Sequence, residues 1–247
     1  MASSSSLRSG SRHLRTLGDD GDVVRTAALL LGLIVLCVAV HAPAVATADG
    51  CNLTAGFVQV DLPEGNFLVQ SPYDVAEDQR YSYDVATGVR TFRVYAEDKP
   101  FNTVTPTNPR TEVRLSGHDY SSGVWQFQGY GYVPSGTSGA SVMQIHNEDA
   151  GAHATTMMLH VYNGTLRYYS GDAVEDDIYD RWFQLNVVHD VGASTVAVYV
   201  DGAPRLAVNV TPSVSHYFKF GVYMQHHDVS ALMESSWRNV TVYTKPY

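Results

Sequence analysis

Tyr217-Phe218-Lys219-Phe220-Gly221-Val222-Tyr223-Met224-Gln225 alternates in character with a period of two. In an extended chain Tyr217, Lys219, Gly221, Tyr223 and Gln225 share one face, and Phe218, Phe220, Val222 and Met224 share the other. Two earlier segments divide in the same way. In Pro109-Arg110-Thr111-Glu112-Val113-Arg114 the row Arg110, Glu112, Arg114 opposes Thr111 and Val113; in Met143-Gln144-Ile145-His146 the pair Gln144 and His146 opposes Met143 and Ile145. Each reads as a strand with one apolar and one polar face.

Working outward, further short alternating runs cover Gly56–Leu62, Arg90–Ala96, Val124–Val133, Thr155–Tyr162, Thr165–Tyr169, Trp182–His189, Ser194–Val200, Arg205–Val210 and Ser236–Tyr243. Asn163-Gly164 and Asp201-Gly202 stand between such runs and signal two-residue hairpins. No stretch has the length and period of an amphipathic helix; Tyr73–Gln79 and Ala173–Tyr179 have room for a turn or two. About a dozen strands imply an all-β fold of two stacked antiparallel sheets.

A merely wet sheet face would be rich in Thr, Ser, Lys and Glu. An Arg-Glu-Arg row beside Gln144, His146, Tyr217 and Tyr223 is a different composition, and it points to a ligand site in which Glu112 sets its two arginines.

The N-terminus is a separate matter. Residues 1–25 are Ser- and Arg-rich, Ala27–Val40 is an apolar run of 14 residues, and Ala44, Ala46 and Ala48 follow. This is the pattern of a cleaved secretory signal spanning residues 1–48, with 49–247 as the mature domain. The alternative, a signal anchor, would need a run of about 20 residues. Secretion would lead to the extracellular space, the cell wall or the vacuole, with no membrane attachment after cleavage. Sequons at Asn52, Asn163, Asn209 and Asn239 agree with that route, although Pro212 closely follows the third. Cys37 would leave with the signal and Cys51 would remain alone, so no disulfide framework holds the domain.

The chain carries 16 basic and 25 acidic residues; without residues 1–48 these become 12 and 22, a net charge of −10. That excludes nucleic acid as a partner and requires any anionic ligand to meet a local cationic groove. Three lesser features read as structural. The adjacent histidines of His226-His227-Asp228 would point to opposite faces of a strand, so a rim loop suits them better than a metal site. Glu175-Asp176-Asp177 lacks the spacing of a calcium loop. Tyr120, Trp125, Tyr130 and Tyr132 could stack on sugars or fill the core.

Arg110-Thr-Glu-Val-Arg114, Gln144-Ile-His146 and Tyr217–Gln225 resemble, in order, the three signature blocks of the alginate-lyase family of polysaccharide lyases. Asp119–Phe127 and Tyr132–Gly139 resemble its plant branch of citrate-binding-protein-like chains. The resemblance implies a β-jelly roll, a concanavalin-like sandwich whose concave sheet forms the groove. It implies β-elimination on an acidic polysaccharide of a plant cell wall, without metal or other cofactor, by a monomeric protein. Arg110, Gln144 and His146 would meet the uronate carboxylate; His146 or Tyr223 would take the C5 proton, and Tyr223 would protonate the leaving oxygen. Glu112, Arg114, Lys219, Tyr217 and Gln225 would bind neighbouring groups. Leu115 and Met224 depart from the family pattern, which usually has an acidic residue and an Asn there. The plant branch also implies a non-enzymatic binder of citrate or acidic carbohydrate, and a structural cell-wall lectin is a third expectation.

Overall fold

The computed structural model describes residues 52–148 and 154–245; the expected signal segment, Cys37 and Cys51 lie outside them. Fifteen antiparallel strands form two sheets. Seven strands make the first, in spatial order β10 (Ala173–Glu175), β9 (Thr165–Tyr168), β8 (Thr155–Tyr162), β7 (Ala140–Asn147), β14 (His216–Met224), β5 (Arg110–Leu115) and β2 (Phe67–Gln70). The second runs β13 (Ala203–Asn209), β12 (Thr195–Val200), β11 (Trp182–Asp190), β6 (Val124–Tyr132), β15 (Leu232–Lys245), β4 (Val89–Tyr95) and β3 (Tyr81–Asp84), with β1 (Val58–Val60) also on β15. This is the expected jelly-roll sandwich.

The apolar halves of the alternating strands close the space between the sheets. Phe218, Phe220 and Val222 of β14, Ile145 of β7 and Val113 of β5 meet Phe127, Phe183, Trp237 and Val187 from the facing sheet, all buried. Phe220 lies edge-on to Phe92 and Trp237, with ring centroids 5.6 and 5.7 Å apart. Each such ring contributes roughly 2–3 kcal/mol through burial. The hairpin turns form as their sequences require: Asn163 and Gly164 have φ of 49° and 85°, Asp201 and Gly202 51° and 78°.

Where a helical turn had room to form, Glu77–Gln79 makes a single 3₁₀ turn, while Ala173–Glu175 becomes an edge strand on β9. Glu175 is drawn there into ion pairs with Arg205 at 2.7 Å and Arg181 at 3.6 Å, so the acidic triplet is not simply solvated. Tyr120 and Trp125 do not reach a sugar site. They stack on each other at 4.8 Å, and the Tyr120 hydroxyl lies 3.0 Å from Nδ1 of His189 inside the sandwich. Tyr130 and Tyr132 belong to the second sheet.

His160 and His189 are buried, and burial first, then neighbouring histidines, lowers each to about 4. Between about pH 6.5 and 4 the unfolded chain therefore binds protons that the folded one refuses, so stability rises with pH across that window. Acidification to about pH 5 is expected to cost about 1–2 kcal/mol per histidine. Urea midpoints that stay level from neutral pH down to about pH 4.5 would contradict this.

Candidate active site

The three segments that stand far apart in sequence are neighbours in space. β14 lies between β7 and β5, with Lys219 opposite both Gln144 and Arg114, Tyr217 opposite His146, and Tyr223 opposite Arg110. A bulge in the β14–β7 pairing between Phe220 and Tyr223 spans Gly221 and Val222. Gly221 has φ of 137°, and a Cβ there would sit 2.6 Å from Glu112 Cα and from the Thr111 carbonyl oxygen. Only glycine lets β14 close on β5 at this point.

The polar face is buried. Arg110, Glu112, Gln144 and Lys219 are 5, 2, 1 and 1 % exposed, which rules out a solvated sheet face. Arg110 Nη1 donates to Glu112 Oε1 at 2.9 Å, Lys219 Nζ donates to the same oxygen, and Gln144 Nε2 donates to Glu112 Oε2 at 2.6 Å. Burial alone would raise the Glu112 pKa, but Lys219, Arg110 and Gln144 together outweigh it and hold the carboxylate below its ordinary range. Burial lowers Lys219 to about 8 in spite of Glu112. The expectation that Glu112 sets two arginines needs correction: it sets Arg110 and Lys219. Arg114 turns away, donating through Nη2 to Asp119 at 2.5 Å and Glu148 at 3.1 Å, with its guanidinium 3.9 Å from the Tyr217 ring centre.

His146 lies 4.9 Å from Tyr217, ring on ring. Its Nδ1 is 2.7 Å from the Asn147 carbonyl oxygen, so Nδ1–H donates and Nε2 carries the lone pair. Burial, then Lys219, lowers His146 to about 4, so the ring is neutral at physiological pH. Tyr223 packs against Arg110, whose Cζ is 3.8 Å from the ring centre. Burial is the main cause raising the Tyr223 pKa, and the phenol keeps its proton.

These groups line a cleft of about 480 Å³, a size suited to a few sugar units' worth of contact. Arg110, Gln144, His146, Tyr217, Lys219, Tyr223 and Gln225 all reach it. Glu112 lies beneath as the brace for Arg110 and Lys219. His226 is at the rim, as its loop position suggested, while His227 pairs with Asp228 and stacks on Tyr162. No group of three metal-ligating side chains occurs among the described residues. All four sequon asparagines are exposed.

Several cleft residues carry no motif of their own. Phe101 and Thr107 come from the segment between β4 and β5, Thr155 and Met158 from β8, and Gln70 from β2. Gln70 was the most findable, since Phe67 and Val69 alternate with Leu68 and Gln70. Among the described residues, four buried atoms of side chains that contribute to the cleft have no hydrogen-bond partner: Arg110 Nε, Gln144 Oε1, Gln70 Oε1 and Thr107 Oγ1.

Comparison with known proteins bears on the family and the fold. Residues 60–244 match the family model described as alginate lyase. Over 190 residues, 77 % of this chain and 78 % of the other, the sequence is 48 % identical to a citrate-binding protein of Hevea brasiliensis. The alginate lyase AlgAT5 of polysaccharide lyase family 7 shares the fold with a TM-score of 0.58 at 18 % identity, over 75 % of this chain and 100 % of that one. An alginate lyase from Corynebacterium sp. does so with a TM-score of 0.54 at 17 % identity, over 69 % and 83 %.

Proposed function

The chain belongs to the alginate lyase family, and from that premise we propose that it cleaves a uronate-containing polysaccharide by β-elimination. One observation carries the reading. A neutral His146 with its lone pair on Nε2 and a protonated Tyr223 line the same cleft as the Arg110 guanidinium and the Gln144 amide. A base and an acid ready at neutral pH beside a carboxylate receptor are the parts an elimination needs.

Arg110 and Gln144 receive the uronate carboxylate. As the C5–H bond breaks, negative charge spreads from C5 into that carboxylate, and donors already fixed by Glu112 stabilise it without reorganising. Nε2 of His146 takes the C5 proton. The electron pair forms the C4–C5 double bond, the C4–O bond breaks, and the Tyr223 hydroxyl protonates the departing oxygen. Lys219 adds positive charge behind the carboxylate. The site would operate in the secretory pathway or beyond it, which the signal-like N-terminus and the exposed sequons support.

A second reading, a non-catalytic holder of citrate or another acidic ligand, is favoured by the relative named for citrate binding. Incubating the protein with homopolymeric and mixed uronate glycans separates the two. Elimination leaves an unsaturated sugar whose ultraviolet absorbance should grow on at least one of them. A flat trace on every glycan, with heat released on titrating citrate, would replace the first reading by the second.

A further inference from the structure

Four lysines and arginines lie on strands of the first sheet, and three of them have acid partners. Arg110 and Lys219 share Glu112, and Arg114 is drawn to Asp119 and Glu148. Arg167 on β9 is the fourth, half-buried, and it pairs with no acid among the described residues. Its Nη1 donates to the Gly171 carbonyl at 3.0 Å, which orients the guanidinium. The remaining N–H donors are left for a carboxylate, which a guanidinium grips with two parallel hydrogen bonds. The strand register puts Arg167 in line with the cleft. Arg110 is opposite Tyr223, Tyr223 opposite Ser141, Ser141 opposite His160, and His160 opposite Arg167. One row of side chains thus crosses β5, β14, β7, β8 and β9. Leu166, next to Arg167 on β9, is in the core, so Arg167 points to the outer face. Thr155 and Met158 already line the cleft from β8, and Arg167 stands one strand beyond them, about 5 Å. Tyr169 bridges that step: its hydroxyl is 3.1 Å from Thr155 Oγ1, and its ring is edge-on to His160 at 5.7 Å.

We propose that Arg167 is a second carboxylate receptor, which holds a uronate further along the same glycan than the one at Arg110 and Gln144. The inference rests on the carboxylate-binding reading of the cleft and extends it across β8. Three strand spacings separate Tyr223 from Arg167, roughly 14 Å, which an extended glycan covers in a few sugar units. The row between them carries no charge at neutral pH, since Ser141 is uncharged and burial lowers His160 to about 4. The rings of His160 and Tyr169 give this stretch an apolar surface of the kind on which sugar faces pack. A glycan with carboxylates at repeated intervals meets a cation at both ends of the row. Citrate, or a ligand of one or two sugars, reaches only the first.

Calorimetry on the Tyr223→Phe protein, in which turnover is slowed, tests this with three ligands: a diuronide, a hexauronide, and the hexauronide with its carboxyls reduced to alcohols. The hexauronide should bind more tightly than the diuronide. Adding Arg167→Gln should weaken the hexauronide roughly fivefold to tenfold, the worth of a partly exposed charge-assisted pair. The diuronide is too short to span the row and should bind as before. Arg167→Lys keeps the charge but loses the planar fork, so its hexauronide affinity should fall in between. If Arg167→Gln changes hexauronide affinity by less than about twofold, or weakens both uronides alike, the inference is overturned and the carboxylate reading stands. If the carboxyl-reduced ligand binds as tightly as its parent, or neither uronide binds, the carboxylate reading falls and the inference with it.

Discussion

Replacing Glu112 by leucine should destabilise the protein by about 3–5 kcal/mol, the cost of leaving a buried ion cluster without its counter-charge. Glu112 is the single anion between two buried cations, Arg110 at 2.9 Å and Lys219 in direct contact, and it also takes the Gln144 amide at 2.6 Å. Without it, two like charges face each other out of water. Lys219 can shed its proton, since its pKa is already lowered to about 8 and would fall further. Arg110 cannot. Thermal melting should drop by roughly 10 °C for a domain of this size.

The companion variant separates charge from packing. Glu112→Leu combined with Lys219→Met removes one charge of each sign and leaves Arg110 as the cleft's positive charge. It should recover less than half of the lost stability, because Arg110, the cation that cannot shed its charge, is still buried without a partner. Carboxylate binding should weaken, because nothing then fixes Gln144 or orients Arg110. If the single variant costs less than about 1 kcal/mol, water reaches this cluster and the description of it as a dry brace is wrong.

The same cluster marks where the sequence stops being informative. Period-two alternation puts Arg110, Glu112, Gln144, His146, Lys219 and Tyr223 on outward faces, and the hairpin dipeptides place two turns correctly. Alternation within a strand says nothing about which strand lies beside it. The β5–β14–β7 order joins segments separated by long stretches of chain, and the family resemblance, not periodicity, brought them together. Nor does alternation reveal burial. Charged letters on an outward face look wet, and their enclosure depends on loop residues such as Phe101 and Thr107 that have no pattern. Pairing fails for the same reason. Glu112 and Arg114 are two residues apart and look like partners, yet Lys219 on the adjacent strand takes the carboxylate, while Asp119 and Glu148 capture the arginine.

Removing the acid or the base should have the largest effect on turnover. Tyr223→Phe and His146→Gln are each expected to lower kcat by about 10²–10⁴, the range for a positioned proton donor or acceptor. Their pH profiles distinguish the roles. In the unaltered protein the rate should rise as pH increases through about 4, where His146 loses its proton and becomes a base. It should fall as pH rises through about 8, where Lys219 loses its charge and the net positive charge of the cleft disappears. The two limbs belong to an interacting set, so both should move when Lys219 is replaced: without its repulsion His146 titrates higher, and the alkaline limb goes. His146→Gln should abolish the acid limb of the residual activity, whereas Tyr223→Phe should keep it, because the Tyr223 phenol stays protonated throughout that range. An acid limb unchanged in His146→Gln would assign the base elsewhere. A Tyr223→Phe protein retaining more than about a tenth of wild-type kcat would mean that the leaving oxygen takes its proton from another donor, with water in the cleft the first to examine.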